Sequence, residues 1–388
     1  IKVNGPLVPS QQELQALKAA EEAKHASQKA QDDAVGLMID PIELEIGFNL
    51  VPLVDPNQGG DLLERIKLIR KTIALELGLV VPPIRMRDNM RLAPNEYCIK
   101  IKGIEVGRGN LKIDRYLAIP PVAEDFTLIP GEEGIDPVFN KKATWVTESN
   151  RSEAEKAGYS VVDCTSVVTT HLVEILRRHG FDLLGRQEVK KILDSIKQEY
   201  MAVTDEIFNN KIQLGDIQKV LQNLLKENVS IRNIVTILET IADFGSRTRN
   251  IDLITEKVRA QLGKQIVQRI LGDSDKLYVI TLSPQLENQL EQSLQETESG
   301  FVSNISPHIT QSLIEEVAHI MAKHRYQLTP VLVTSDRIRA LTREIIQTKF
   351  PAIYAISYTE LTVGQAKVEH LGAIQGALVE VEEEEEII

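Results

Sequence analysis

Ile42, Leu44 and Ile46 alternate with Glu43 and Glu45, the period-two signature of a half-buried strand. The period changes after Asp55-Pro-Asn-Gln-Gly-Gly60. Leu62, Ile66, Ile69, Ile73 and Leu77 recur at helical spacing, and Gly78 is placed to end that helix. Ile84–Arg87 reads as a further strand, Tyr97, Ile99 and Ile101 alternate again, and Gly103 to Gly107 punctuates a strand pair. Between Leu111 and Ser160, prolines at 120, 121, 130 and 137 and glycines at 131, 134 and 158 break short apolar runs, as in a small, loop-rich insert. Tyr159–Asp163 then predicts a strand. Thr165 or Ser166 is expected to cap a helix running to Arg178, with Gly180 as its stop.

Three apolar stripes follow at helical spacing. They are Val189, Ile192, Leu193 and Ile196; Ile217, Val220, Leu221, Leu224 and Leu225; and Ile231, Ile234, Leu238 and Ile241. None can bury its stripe alone, so a compact helical subdomain is implied. The α/β texture returns with strands at Leu277–Leu282, Pro330–Thr334 and Ile353–Ser357, and helices at Pro284–Leu294, Ser306–His324 and Ile338–Gln347. The predicted fold class is mixed α/β in several subdomains. A polar linker (1–39) leads into a first α/β subdomain (40–113 and 164–183) that holds a small inserted α/β subdomain (114–163). A helical subdomain (184–264), a C-terminal α/β subdomain (265–375) and an acidic tail (376–388) complete the chain.

Composition narrows the function. The chain has 388 residues, 43% hydrophobic and 26% charged, enough for two to four domains. Its net charge is −12, of which Glu380 and Glu382–Glu386 carry −6, leaving −6 for the body; this argues against a large uniform field for nucleic acid. Two cysteines, Cys98 and Cys164, cannot form a disulfide scaffold or a four-cysteine zinc site. Both sit in or beside strands and read as small buried hydrophobes, although a helix start after Cys164 would lower its pKa. No apolar run reaches the ~18 residues of a membrane span. The polar start without Met implies a piece of something longer.

Catalytic patterns are missing. Gly263-Lys-Gln lacks the hydroxyl and upstream glycine of a phosphate loop, and neither a Gly-x-Gly-x-x-Gly after a strand nor a Gly-x-Ser-x-Gly elbow occurs. Asp243-Phe-Gly245 spells a kinase triplet without its catalytic loop. His319 and His324 lie about 140° apart around a helix. His171 and Glu174 share a face but are two ligands only, so a helix-face histidine with a solvated glutamate is the favoured reading. Arg337, Arg339 and Arg343 lie on one helix with no interleaved aromatics, and read as a solvated face rather than a nucleic-acid site. No cofactor, metal or catalytic residue is expected. A nucleotide-dependent enzyme and a nucleic-acid-binding regulator are the lesser alternatives to a binding scaffold.

Four stretches carry a resemblance: Gly47-Phe-Asn-Leu-Val-Pro-Leu-Val-Asp55, Ile84-Arg-Met-Arg-Asp-Asn89, Leu184-Gly-Arg-Gln-Glu188, and Lys219-Val-Leu-Gln-Asn-Leu-Leu225 with Ile231-Arg-Asn-Ile-Val-Thr-Ile-Leu-Glu239. From about Pro41 to Leu361 the chain resembles the cytoplasmic domain of the FlhA family of flagellar biosynthesis proteins, the export gate of type III secretion. The flagellar branch fits better than the virulence-injectisome branch. The resemblance implies a preceding membrane domain, a place at the cytoplasmic face of the bacterial inner membrane, a homo-oligomeric ring, typically of nine subunits, and no enzymatic activity. The implied partners are flagellar export chaperones with their cargo and other export components, including the export ATPase complex. The implied chaperone site takes Asp136 and Phe139 from Asp136-Pro-Val-Phe139, Thr170 of the Thr170-His171 pair, Ile119 and Pro121. Physically, an Asp-Pro corner presents Phe139 from a turn rather than burying it. Both Asp136→Lys and Phe139→Ala are then expected to abolish chaperone binding without loss of fold.

Overall fold

The computed structural model describes residues 39–121, 128–297, 300–324 and 329–376. The expected linker (except Ile39) and acidic tail (except Gly376) lie outside the described residues. The chain divides into two compact units. One takes the chain up to Ile69 and Pro82–Ile175; the other takes Arg70–Val81 and the chain from Leu176 onward.

In the first unit, β1 (Ile42–Ile46), β2 (Arg85–Asp88), β3 (Glu96–Ile101) and β4 (Ile104–Asn110) form one sheet in the order β2-β1-β3-β4. Strand β2 runs parallel to β1; the other pairings are antiparallel. The alternation of β1 places Ile42 and Leu44 in the core, while Glu45 pairs with Lys100 at 2.7 Å. Lys102 and Gly103, both at positive φ, close the β3–β4 hairpin. Helix α1 (Leu62–Leu77) buries the predicted stripe Leu62, Ile66, Ile69, Ile73 and Leu77. Each such side chain stabilises by about 1.5–3 kcal/mol relative to exposure.

The loop-rich stretch read as a small α/β insert forms a second sheet. Strands β5 (Tyr116–Ile119), β6 (Glu132–Asp136), β7 (Lys141–Val146) and β8 (Ser160–Val162) pair antiparallel in the order β6-β7-β5-β8, with α2 (Glu148–Lys156) packed on it through Ala154. The strands are short and rich in Lys, Glu and Thr, so their alternation is faint in the sequence.

Helix α3 (Cys164–Leu183) differs from its prediction at both ends. Its start is capped by Asp163, whose Oδ1 accepts the Ser166 N–H at 2.6 Å, rather than by Thr165 or Ser166. It also continues through Gly180. In the second unit Gly180 faces Leu79, whose Cδ2 would lie 2.8 Å from a Cβ, so the glycine serves close packing rather than termination.

The second unit continues with α4 (Arg186–Ile196), α5 (Met201–Asn209), α6 (Leu214–Lys226), α7 (Ile234–Gly245), α8 (Ile251–Gln261) and α9 (Gly263–Leu271). Glu188 reaches back to accept the Gly185 N–H at 3.1 Å, which gives the Leu184-Gly-Arg-Gln-Glu188 motif a role at a helix start. A parallel sheet follows, built from β9 (Leu277–Leu282), β12 (Val331–Thr334), β13 (Tyr354–Ser357) and β14 (Val368–Ile374) in the order β13-β12-β9-β14. It is covered by α10 (Pro284–Gln292), α11 (Pro307–Lys323) and α12 (Arg339–Gln347), with α13 (Tyr358–Gly364) leading to β14. Strand β14 and the hairpin of β10 (Leu294–Thr297) with β11 (Gly300–Ser303) had no strong pattern in the sequence.

The arginine helix is the largest departure. Arg339 is 1% exposed, not solvated. Its Nη1 and Nη2 bond Glu227 at 2.7 and 2.8 Å, and its Nε and Nη2 bond Glu256 at 2.8 and 2.6 Å. Arg259 pairs with Glu360 at 2.8 Å and Glu227 at 3.3 Å, completing a buried network that ties α6 and α8 to α12 and α13.

Candidate functional site

The Asp136–Phe139 corner closes the β6–β7 hairpin. Asp136 pairs with Lys141 across it, and Pro137–Asn140 form the turn. Asp136 Oδ1 accepts the Val138 N–H at 3.0 Å, the aspartate-to-backbone bond that holds such a corner. Asn140 ends the turn at φ +53°, a conformation asparagine adopts at little cost. Phe139 is 55% exposed at its tip, beside exposed Asn140 and Lys141.

Sheet topology brings two more of the expected residues to this end. Because β5 runs antiparallel to β7, with Ala118 opposite Thr144, Ile119 at the end of β5 lies toward the same sheet end as Lys141 and the turn. Ile119 pairs with Ser160 and is half-buried. Pro121 is also half-buried, with its Cγ 3.9 Å from where a Cβ on Gly158 would stand. Thr170 is exposed on α3, one residue before buried His171.

Two features depart from expectation. Asp136 is 1% exposed and supports the turn from beneath, whereas an Asp136→Lys change that spares the fold needs a carboxylate at the surface; its Oδ2 is buried without a hydrogen bond. His171 is not a solvated helix-face residue. Its Nδ1 lies 2.8 Å from the Tyr97 hydroxyl, with the two rings edge to face. Burial, and secondarily the Asp136 charge, raise the Tyr97 phenol well above its ordinary range, so it stays protonated.

A cleft of about 530 Å³ adjoins the turn, lined by Arg108, Gly109, Gly134, Pro137, Asn140 and Trp145 among others. Arg108 reaches Glu96 at 2.8 Å and forks onto Glu105 at 2.8 and 2.7 Å; the fork holds the Glu105 carboxyl at about 2. Sequence reasoning missed Ile135 and Leu128, both exposed apolar residues close in sequence to the turn. Ile135 stands on edge strand β6, where an apolar side chain flanked by a glycine gives little signal.

Neither cysteine is activated. Burial raises the Cys98 thiol to about 12, with a Glu105 hydrogen bond adding to it, and raises Cys164 to about 11. The helix start after Cys164 therefore does not lower its pKa, because desolvation of the thiolate outweighs the helix dipole. A cavity of about 520 Å³ in the second unit is lined by Glu76, Glu227, Arg232, Arg259 and Arg269; none of the expected docking residues lines it. Among the described residues, no group of three His, Cys, Asp or Glu is arranged to hold a metal ion, and no helix is long and apolar enough to cross a membrane.

The chain is 44% identical over 360 residues to the flagellar biosynthesis protein FlhA of Bacillus subtilis, covering 91% of this chain and 52% of that protein. It is 36% identical over 324 residues to FlhA of Escherichia coli K12, covering 83% of this chain and 46% of that protein. The chain thus spans about half the length of the curated relatives it matches. Its fold is similar to that of the Chlamydia pneumoniae CdsV protein (TM-score 0.73, 23% identity, 87% of this chain and 98% of that one). It is also similar to nonameric SctV-C of enteropathogenic E. coli (TM-score 0.70, 23% identity, 87% of this chain and 99% of that one). The FHIPEP family pattern matches residues 5–366, and the chain belongs to the FHIPEP family.

Proposed function

We propose that this chain is the cytoplasmic docking platform of a flagellar type III export gate, receiving export chaperones with their cargo and taking part in ordered export. The observation that carries this reading is Phe139, an exposed aromatic held at the tip of a turn whose aspartate is buried beneath it. Aromatic side chains held in place and surrounded by polar residues are where binding energy concentrates. Ile119 and Pro121 toward the same sheet end, with Thr170 on α3, make up the rest of the surface. The flagellar branch is favoured over the injectisome branch by identities of 35–44% to flagellar relatives against 23% to the injectisome structures named above.

The four-part division read from the sequence, a ring of nine beneath a membrane pore and contact with the export ATPase complex belong to this proposal. The nonameric state is that of a similarly folded relative. The activity is binding and ordering, not bond chemistry. The test is capture of purified flagellar chaperone–cargo complexes on immobilised protein. Phe139→Ala is expected to weaken capture roughly 30-fold or more, the loss of one ~2 kcal/mol hot spot, with circular dichroism and melting temperature unchanged. Undiminished capture by a folded Phe139→Ala protein removes the assignment.

A further inference from the structure

One buried polar cluster of the first unit has no part in the surface described above. Tyr97 is wholly buried on β3, and its hydroxyl meets His171 Nδ1 at 2.8 Å with the ring centroids 5.8 Å apart. Strand β4 makes room for both rings. A Cβ on Gly109 would lie 2.6 Å from the Tyr97 ring and hydroxyl, and a Cβ on Gly107 would lie 3.0 Å from the His171 imidazole. Neither position accepts a side chain while the rings stay where they are. Gly109 in turn lines the cleft that Pro137 and Asn140 close from the turn side. Asp136, at the base of that turn, is buried and has one carboxylate oxygen on the Val138 N–H.

We propose that Tyr97 and His171 are the positioning pair of the docking surface, holding the helix that carries Thr170 in register with the turn that carries Phe139. This inference rests on the docking reading above. The reason is geometric. His171 follows Thr170 directly, so a bond from the β3 hydroxyl to the imidazole fixes the rotation of α3 about its own axis, and with it the direction Thr170 faces. On the other side, the Tyr97 ring lies under Gly109, and Gly109 lines the same cleft as Pro137 and Asn140 of the turn. Burial, and secondarily the Asp136 charge, keeps the Tyr97 phenol protonated, so that a neutral hydroxyl faces Nδ1. A buried hydrogen bond of this kind holds geometry because leaving either partner unsatisfied is costly.

The experiment is amide hydrogen exchange on the unbound protein, followed over residues 136–142 and 166–174, for wild type, Tyr97→Phe, His171→Leu and His171→Asn. Tyr97→Phe keeps the ring and removes only the hydroxyl; the asparagine amide of His171→Asn stands where Nδ1 was. Tyr97→Phe and His171→Leu are expected to speed exchange in both segments about tenfold, the effect of one buried hydrogen bond. Exchange in β1 should rise less than in these two segments, the melting temperature should fall by only about 3–6 °C, and His171→Asn should restore slow exchange. Capture of chaperone–cargo complexes by Tyr97→Phe should weaken by a similar factor. Unchanged exchange in the two segments overturns the proposal, as does a uniform rise across the whole unit, which would mark a merely structural bond. If local exchange rises but wild-type protein itself captures no chaperone–cargo complex, the pair stands as the positioning element of the turn and only the docking reading fails.

Discussion

Replacing Arg339 by leucine is expected to cost about 3–5 kcal/mol of stability, because it strands the buried Glu256 carboxylate and leaves half-buried Glu227 with Arg259 alone. Arg339 supplies forked hydrogen bonds to Glu227 and Glu256 at 2.6–2.8 Å and a fifth bond to the Ala355 carbonyl at 3.3 Å. Glu256 is only 8% exposed. Arg259 touches Glu227 only at 3.3 Å and is committed to Glu360 at 2.8 Å. Arg339→Lys should lose most of the same stability, since an ammonium has three donors on one atom and cannot reproduce the five bonds that the planar guanidinium makes. A double replacement, Arg339→Leu with Glu256→Leu, should recover part of it by removing one stranded charge. Denaturant unfolding gives the measurement, and a loss below about 1 kcal/mol for Arg339→Leu would show that the network is not a keystone of this unit.

The same network sets an acid response. Burial alone would raise the Glu227 carboxyl, but the charges of Arg259 and Arg339 and the Arg339 hydrogen bonds overcome it and hold the group at about 2. A carboxyl depressed in the folded state contributes stability above its ordinary pKa near 4.5 and loses it as pH falls toward 2, here on the order of 3 kcal/mol. Glu256 is raised by burial in spite of Arg339, so its protonation favours the fold in acid and offsets part of that loss. Melting temperature is therefore expected to fall between pH 5 and pH 2, and to fall less steeply in Arg339→Leu, which lacks the pairing that depresses Glu227.

What the sequence conveyed depended on periodicity. Wherever a long apolar stripe is buried along its length, as in Leu62–Leu77 or Ile217–Leu225, pattern and structure agree. Glu132–Asp136 and Lys141–Val146 are strands despite runs such as Glu-Glu-Gly and Lys-Lys, because their stability comes from neighbours in a sheet rather than from their own alternation. Arg339 was read as solvated because a charge on a short helix usually is; its four carboxylate bonds reach Glu227 and Glu256, 112 and 83 residues away, beyond any local signal. The turn at Asp136-Pro-Val-Phe139 was legible from its chemistry, and the exposure of Phe139 follows from it. The burial of Asp136 and the Tyr97–His171 pair beneath were not, since the Tyr97–His171 contact spans 74 residues.

That burial changes what a charge reversal at the turn would mean. Asp136→Lys is expected to destabilise the first unit by more than about 3 kcal/mol, instead of leaving the fold intact while removing binding. Asp136 is 1% exposed, and its Oδ1 holds the Val138 N–H at 3.0 Å. Lysine is longer, cannot accept that bond and would bring an ammonium into a space shaped for a carboxylate. For a unit of this size each kcal/mol lowers the melting temperature by roughly 2–4 °C, so calorimetry should record a fall of at least about 6 °C, or no cooperative transition. Asp136→Asn keeps an oxygen for the Val138 N–H and is expected to lose under about 1 kcal/mol. Loss of chaperone capture by Asp136→Lys would then report unfolding, whereas the same loss by Phe139→Ala, at a side chain 55% exposed, reports the surface. An Asp136→Lys protein that melts within 2 °C of wild type would mean that the carboxylate stands at the surface in solution, and the buried support assigned to the turn would fall with it.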